Sequence, residues 1–283
     1  MKKSKLVVLL FILIALQLEG ASVIAVFAPH PDDEAISLGG WIADQALEGA
    51  IIYGIMITDG EAFSRAVRAN RLSRKPVLTA MDYLRLGKMR RLEGTASFKV
   101  LGIPVERQFF LAYPGNAINR LVSANQPMKL FKSPATRQRY GSACWQGNKR
   151  QVAYSRASLT RDIDEILARI KPDIVVIPAA FDTNLDHYAT SRLITNRLEA
   201  INHKPEIMSY LVHRGSRRDF PKPYGYKPDL GINDPNGVPV PRRKYPSSRA
   251  IQIKKSALEC HKSQLRLKDG FLFSFIRTEE IYW

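Results

Sequence analysis

Cysteine is almost missing from this 283-residue chain: Cys144 and Cys260 are the only two, and neither belongs to a Cys-x-x-Cys pair. A thiolate metal site and a multi-disulfide scaffold are thereby excluded. The pair could form one disulfide in an oxidising compartment, but a core of this size needs no staple, and two unpaired thiols are expected. Acidic residues are also scarce, 26 Asp and Glu against 43 Lys and Arg, which leaves a formal charge of +17. Such a field attracts nucleic acid, acidic glycans or a lipid surface. No helix-turn-helix, RNP or zinc-finger pattern accompanies it, so specific nucleic-acid binding has no support beyond charge, and a generally basic proteome would give the same balance. The basic residues crowd positions 65–91 and recur at Arg217-Arg218 and Arg242-Arg243-Lys244. Internal repeats and low-complexity tracts are absent. A long apolar run is absent too: the stretch from Leu6 to Leu18 is too short for a comfortable transmembrane helix.

That stretch follows Lys2-Lys3-Ser4-Lys5 and precedes Gly20-Ala21, the tripartite pattern of an export signal. Residues 1–21 therefore read as a signal peptide or an N-terminal membrane anchor, and residues 22–283 as one domain. The protein is expected to be exported, to the periplasm or beyond, or held at a membrane face.

Residues 27–34, Phe-Ala-Pro-His-Pro-Asp-Asp-Glu, place an imidazole and two adjacent aspartates at the exit of an apolar strand, Val23 to Phe27. The strand is a continuous β-branched and aromatic run, as expected of one buried on both faces. A helical pattern starts at Asp33, so the acidic pair occupies a strand-to-helix turn, where open α/β sheets bind ligands. A second cluster, Phe181-Asp182-Thr183-Asn184-Leu185-Asp186-His187, follows another apolar strand, Ile174 to Pro178. Two parallel strands would unite the clusters. Zinc accepts nitrogen and oxygen ligands, three from the protein in a catalytic site, and His30, one of the two aspartates and His187 would supply them. A helix cap explains one aspartate but not the whole set.

The chain resembles the zinc-dependent deacetylases of the PIG-L/LmbE type, which remove an acetyl group from N-acetylglucosamine-like sugars. The resemblance rests on His30-Pro31-Asp32-Asp33-Glu34, Thr58-Asp59-Gly60-Glu61, Arg90-x-x-Glu93, Tyr113-Pro114, Asp186-His187, Tyr210 to Gly215, and Gln264 with Phe271-Leu272. It implies zinc, or another divalent metal, on His30, Asp33 and His187, with Asp32 as general base. Arg90 and Asp186 would meet an N-acetylated amino-sugar substrate, which given the charge could be an anionic glycan. Many relatives read His-Pro-Asp-His at the second cluster, whereas this chain has Asn184-Leu185-Asp186-His187. Asn184 can still donate to an oxyanion but cannot deliver a proton. His213, at the end of the strand Ile207 to Val212, could take the acid role or be structural. The departure also motivates a rival reading: a catalytically weak, metal-containing carbohydrate-binding protein.

The expected fold is α/β, a single Rossmann-like domain with a mostly parallel sheet flanked by helices. Strands are expected at 23–27, 51–57, 105–111, 174–178, 207–212 and 271–276. Helices are expected from Asp33 to Leu47, at 82–101, from Leu159 to Ile170 with Ser158 as cap, from His187, and at 250–267. Residues 61–80 read as an irregular insertion near the site mouth. Residues 112–157 read as a long loop covering the site, with Tyr113, Phe131, Tyr140, Trp145 and Tyr154 free either to stack on sugars or to pack the loop down. Arg90 has a second reading as a surface ion pair with Glu93, and His203 and His261 read as solvent-facing. Glu34 reads as orienting the metal ligands or capping the helix.

Overall fold

The structure, a computed structural model, describes residues 20–36, 38–72, 76–216 and 219–283. Residues 1–19 of the expected signal or anchor at 1–21 lie outside the described residues, as do Arg74, Lys75, Arg217 and Arg218 of the basic clusters. No helix among the described residues is long and apolar enough to cross a membrane.

In chain order the elements are β1 Val23–Ala28, α1 Asp33–Ile36, α2 Gly39–Leu47, β2 Ile51–Thr58, α3 Ser64–Ala69, α4 Ala80–Val100, β3 Gln108–Tyr113, α5 Ile118–Val122, β4 Tyr140–Trp145, β5 Asn148–Ala153, α6 Arg156–Ile170, β6 Ile174–Pro178, α7 Leu185–Ala200, β7 Glu206–Tyr210, β8 Arg242–Lys244, α8 Ser248–Cys260, α9 Lys262–Leu265 and β9 Glu280–Tyr282. Seven strands form one sheet in the order β5-β4-β3-β2-β1-β6-β7. Strands β1, β2, β3, β6 and β7 run parallel, and the hairpin β4-β5 adds an antiparallel edge.

The period-two geometry of the strands divides their apolar residues between two cores. Ile24, Val26, Ile52, Met56 and Val176 face one helical layer, and Ala25, Phe27, Ile55, Ile57 and Val175 face the other, built on α6 and α7. This is why the central strands are continuously hydrophobic. Strand order reverses between β1 and β6, which pair as Val26 with Val176. The crevice at their carboxyl ends is the topological switch point of the sheet, and both sequence clusters open into it.

Several expectations are corrected. Residues 112–157 are not one loop: they hold α5 and the hairpin β4-β5. The hairpin turns on Gln146 (φ 51°) and Gly147 (φ 84°), both left-handed, as a two-residue type I′ turn requires. Tyr113, Trp145 and Tyr154 are buried in the core, Phe131 packs against it, and none of these lines the candidate site, so the packing reading holds for them. Ser155, not Ser158, caps α6: its hydroxyl accepts the Ser158 N–H at 3.1 Å. The apolar run 271–276 contains a 3-10 turn, Leu272–Phe275, rather than a strand; a short buried apolar run has no period that separates the two. The 105–111 strand begins only at Gln108, after a 3-10 turn at Val105–Arg107. The Asp33-to-Leu47 helix is two helices, and the 250–267 helix ends at Cys260 before α9. Cys144 and Cys260 are free thiols.

The chain end is tied into the fold by a buried ion pair. Glu280 on β9 accepts the backbone N–H groups of Gly40 and Trp41 at the start of α2, each at 2.8 Å, and the Lys254 ammonium at 2.6 Å. Both side chains are about 2% exposed. Glu280→Ala would remove the carboxylate that pairs with a buried ammonium and accepts two helix N–H groups. A loss of about 3–5 kcal/mol is expected in denaturant unfolding. A loss below about 1 kcal/mol would show that water replaces the carboxylate.

Candidate metal centre and active site

His30 leaves β1, Asp33 opens α1, and His187 lies in the first turn of α7 just beyond β6. Sheet pairing of β1 with β6 brings them together across the switch point. His30 Nδ1 lies 3.2 Å from Asp33 Oδ2, His187 Nε2 lies 3.1 Å from the same oxygen, and the two nitrogens are 3.3 Å apart. These atoms form a nearly equilateral triangle. A tetrahedral site with bonds of about 2.0–2.1 Å has ligand atoms about 3.3 Å apart, so the trio matches one face of such a site.

The surroundings fit a cation as well. The far nitrogen of His30, Nε2, pairs with Asp186 Oδ2 at 3.2 Å, and the far nitrogen of His187, Nδ1, lies 3.1 Å from Asp182 Oδ2. Imidazoles backed by carboxylates in this way present their other nitrogen to a metal in a fixed orientation. Without a metal, protons must balance this charge. Burial works against a charged His30 ring, yet Asp186 and Asp33 outweigh it and raise its pKa to about 9. His187 is likewise raised despite burial, by Asp33 and Asp182. Against the effect of burial, Asp33 is held below the usual carboxylate range by His187 and His30, and Asp182 by His187 and His213.

Asp182 and Asp186 act as orienting groups. Asp182 accepts backbone N–H groups from Asn184 at 2.8 Å and from Val212 and His213 at 3.0 Å, which joins the β6 and β7 exits. Asp186, the expected substrate contact, accepts the N–H groups of Asn116 and Ile118 at 2.6 and 2.9 Å. It thereby holds the segment after β3 against the site. Asp182, His187 and His213 form a second grouping close enough to hold an ion, but it shares His187 and its carboxylate is already engaged with three backbone donors.

Asp32 sits beside the trio with φ +123°, outside the range a side chain ordinarily tolerates. Such a backbone costs about 1–3 kcal/mol and is found where a site over-determines it. Its carbonyl accepts the N–H groups of Ala35 and Ile36 and so starts α1. Burial pushes the Asp32 carboxyl up to about 6; the Arg90 guanidinium opposes that rise and the charge of Asp33 adds to it. Arg90 is 4% exposed, so it is no surface partner of Glu93, whose oxygens instead accept the N–H and hydroxyl of Ser263 at 2.8 and 2.6 Å. The Arg90 guanidinium donates to the carbonyls of Gly60 and Pro31 and lies 3.1 Å from Asp32 Oδ2. Gly60 is required for this: φ is +59°, and a Cβ there would lie 2.2 Å from Arg90 Nη1. Elsewhere in that stretch, Thr58 donates to Pro29 O and Glu61 accepts the Gly115 N–H.

His30 and Asp33 border a cavity of about 290 Å³ whose wall includes Asp32, Asn184, His213 and the apolar Phe63 and Phe271, while His187 lies buried behind it. Asn184 caps α7, its Oδ1 accepting the Asp186 N–H at 2.9 Å, which commits the carbonyl and leaves the amide NH₂ as the donor available to the cavity. His213 Nδ1 lies 3.4 Å from Asp182 Oδ1, and its pKa is lowered, chiefly by burial. The ring emerges on the same sheet edge as the His30–Asp33–His187 trio, as its position after a parallel strand implies.

Two residues escaped the sequence reading. Asp182 was visible in the second cluster but had no assigned part. His261, expected in solvent, is fully buried with Nε2 2.8 Å from Glu34 Oε1. Its polar neighbours Lys262 and Ser263 disguise a short buried turn. His203 is half-buried, with Nε2 2.7 Å from the Pro172 carbonyl.

Comparisons with known proteins bear on the fold and the family. Among solved structures, the A40926 pseudoaglycone deacetylase Dbv21 is 20% identical with TM-score 0.54, over 88% of this chain and 85% of its own. A triple mutant of a teicoplanin-pathway deacetylase is 19% identical with TM-score 0.55, over 90% and 88%. GalB, the 4-carboxy-2-hydroxymuconate hydratase of Pseudomonas putida KT2440, is 17% identical with TM-score 0.52, over 89% and 82%. At these identities the three establish a shared fold and no more. No curated protein matches the chain. The family model described as PIG-L, GlcNAc-PI de-N-acetylase, matches residues 25–198, more than half of the 283, and the chain belongs to that family.

Proposed function

We propose that the protein is a metal-dependent hydrolase that removes the acetyl group from an N-acetylated amino sugar or its glycoconjugate. The observation that carries this reading is the His30–Asp33–His187 triangle with an ionisable carboxylate, Asp32, directly beside it. Family membership and the deacetylases among the structural neighbours support it. His30, Asp33 and His187 would hold the metal, and their nitrogen and oxygen donors suit zinc. A divalent cation there supplies a Lewis acid and makes water a nucleophile at neutral pH.

Asp32 takes the proton of the attacking water as oxygen adds to the acetyl carbonyl. Arg90 holds Asp32 in place, and the Asn184 NH₂ would donate to the developing oxyanion. As the carbon–nitrogen bond breaks, the leaving nitrogen needs a proton; His213, neutral at rest, would relay to it the proton that Asp32 took from the water, yielding acetate and the free amine and returning Asp32 to its carboxylate form. Asp186, whose carboxylate is engaged by Asn116, Ile118 and His30, also lines the cavity and would meet the sugar there. The cavity is of a size for an acetamido group and about one sugar ring.

Incubation of the zinc-loaded protein with N-acetylglucosamine conjugates should release acetate, and metal analysis should find about one divalent ion per chain. A metal-loaded protein that binds these sugars but releases no acetate would favour the carbohydrate-binding reading instead. For the leaving-group step, His213→Ala should lower turnover by about 10²-fold or more with metal content unchanged. Asn184→His should partly restore it. Unchanged turnover in His213→Ala would leave Asp32 to handle both proton transfers.

A further inference from the structure

A buried pair stands behind the proposed base without lining the cavity. His261 and Glu34 are both 0% exposed, and His261 Nε2 lies 2.8 Å from Glu34 Oε1. The other oxygen of Glu34 accepts the backbone N–H of Asp32 at 2.8 Å. His261 approaches from 227 residues away, at the junction of α8 and α9. That junction is itself pinned: Ser263 donates to Glu93 through both its N–H and its hydroxyl, and Asn70 Nδ2 donates to the Ser263 carbonyl at 2.8 Å. The C-terminal segment thus delivers one imidazole, on a rigid support, to one carboxylate of the opening motif.

The consequence falls on Asp32. Its φ of +123° is unfavourable for a side-chain-bearing residue, and the N–H bond to Glu34 Oε2 is what opposes relaxation from the amino side. A glutamate carboxylate has several rotatable bonds, so it pins that N–H only if its own orientation is fixed. The imidazole N–H of His261 fixes it. Resting on the deacetylase reading for its catalytic meaning, we infer that His261 is a positioning residue: it orients Glu34, which locks the Asp32 backbone so that the carboxylate faces the water to be activated. The three metal ligands are held by other contacts, with Asp182, Asp186 and the His30 N–H, and do not depend on this brace.

The test uses full-length, metal-loaded protein with His261→Ala and His261→Gln. Misplacement of a reacting group by about 1 Å costs on the order of 10²-fold, so His261→Ala should lower kcat by about 10- to 100-fold with KM and metal content unchanged. Added imidazole should restore part of the loss by refilling the buried site, and the glutamine amide, which can donate to Glu34, should retain more turnover than alanine. A folded His261→Ala protein with kcat within about twofold of wild type, or a loss explained wholly by lost metal, overturns the inference. A crystal structure of His261→Ala gives a readout independent of activity. Glu34 should rotate and Asp32 should leave positive φ while His30, Asp33 and His187 stay in place. An unchanged Asp32 overturns the inference even if wild type releases no acetate, and that absence of acetate would count separately against the deacetylase reading. Should His261→Ala fail to fold, the same measurements on His261→Gln and Glu34→Gln decide it: unaltered Asp32 geometry with altered Glu34 contacts would refute the brace.

Discussion

Asp32→Asn is expected to keep the metal and lose turnover by about 10²- to 10⁴-fold, the range for removal of a general base. Asp32 contributes no atom to the His30–Asp33–His187 triangle, so metal affinity should survive. Asparagine tolerates left-handed backbone better than most residues, which lets the variant keep φ near +123° at position 32. Its carbonyl oxygen can still accept from Arg90. The amide differs from the carboxylate in one respect that matters here: it cannot take a proton at neutral pH. Asp33→Asn should behave oppositely. The Asp33 oxygen lies within 3.2 Å of both histidine nitrogens, and removal of its charge strips the trio of its only anion. Metal content should therefore fall first and turnover with it. Metal analysis and acetate release on the two variants separate the roles. Metal loss in Asp32→Asn with retention in Asp33→Asn would show that the aspartates are exchanged.

Much of this site was legible because its chemistry sits at strand exits, where local pattern and topology speak together. The apolar runs at β1 and β6 announced two parallel neighbours, and the clusters that follow them had to meet at the sheet edge. The same logic placed His213 after β7. What could not be read was the inward side of the site. Arg90 and Glu93 are spaced for a helix-surface pair, yet Gly60, 30 residues earlier, opens a space that draws Arg90 inward to Asp32. His261 meets Glu34 only through the packing of α8 and α9 on α4, a contact with no local signature. The hairpin β4-β5 was legible in principle from Gln146-Gly147, but its outer strand carries Lys149, Arg150 and Gln151 on the sheet edge and so lacks the hydrophobic alternation that marks a strand.

Replacement of His187 by alanine should have the broadest effect of any single change at the site. The ring is fully buried between Asp33 and Asp182, 3.1 Å from each, and it supplies one vertex of the candidate metal triangle. Loss of an outer-sphere carboxylate typically weakens a metal site by about 10- to 100-fold. Loss of a ligand from a three-residue set should exceed that, leaving the variant without stoichiometric metal after dialysis and without measurable acetate release. The fold should suffer as well, because Asp33 and Asp182 are left as buried carboxylates without their shared partner, a change of the kind that costs about 3–5 kcal/mol. His30→Ala provides the contrast. His30 is partly exposed, so its carboxylate neighbours can recover hydration, and metal loss should come with a smaller drop in stability. Metal content, melting temperature in chelator and acetate release measured on both variants give three independent readings. Stoichiometric metal in both variants would refute the metal assignment. Equal melting temperatures with metal lost would show instead that the buried aspartates take up protons at little cost.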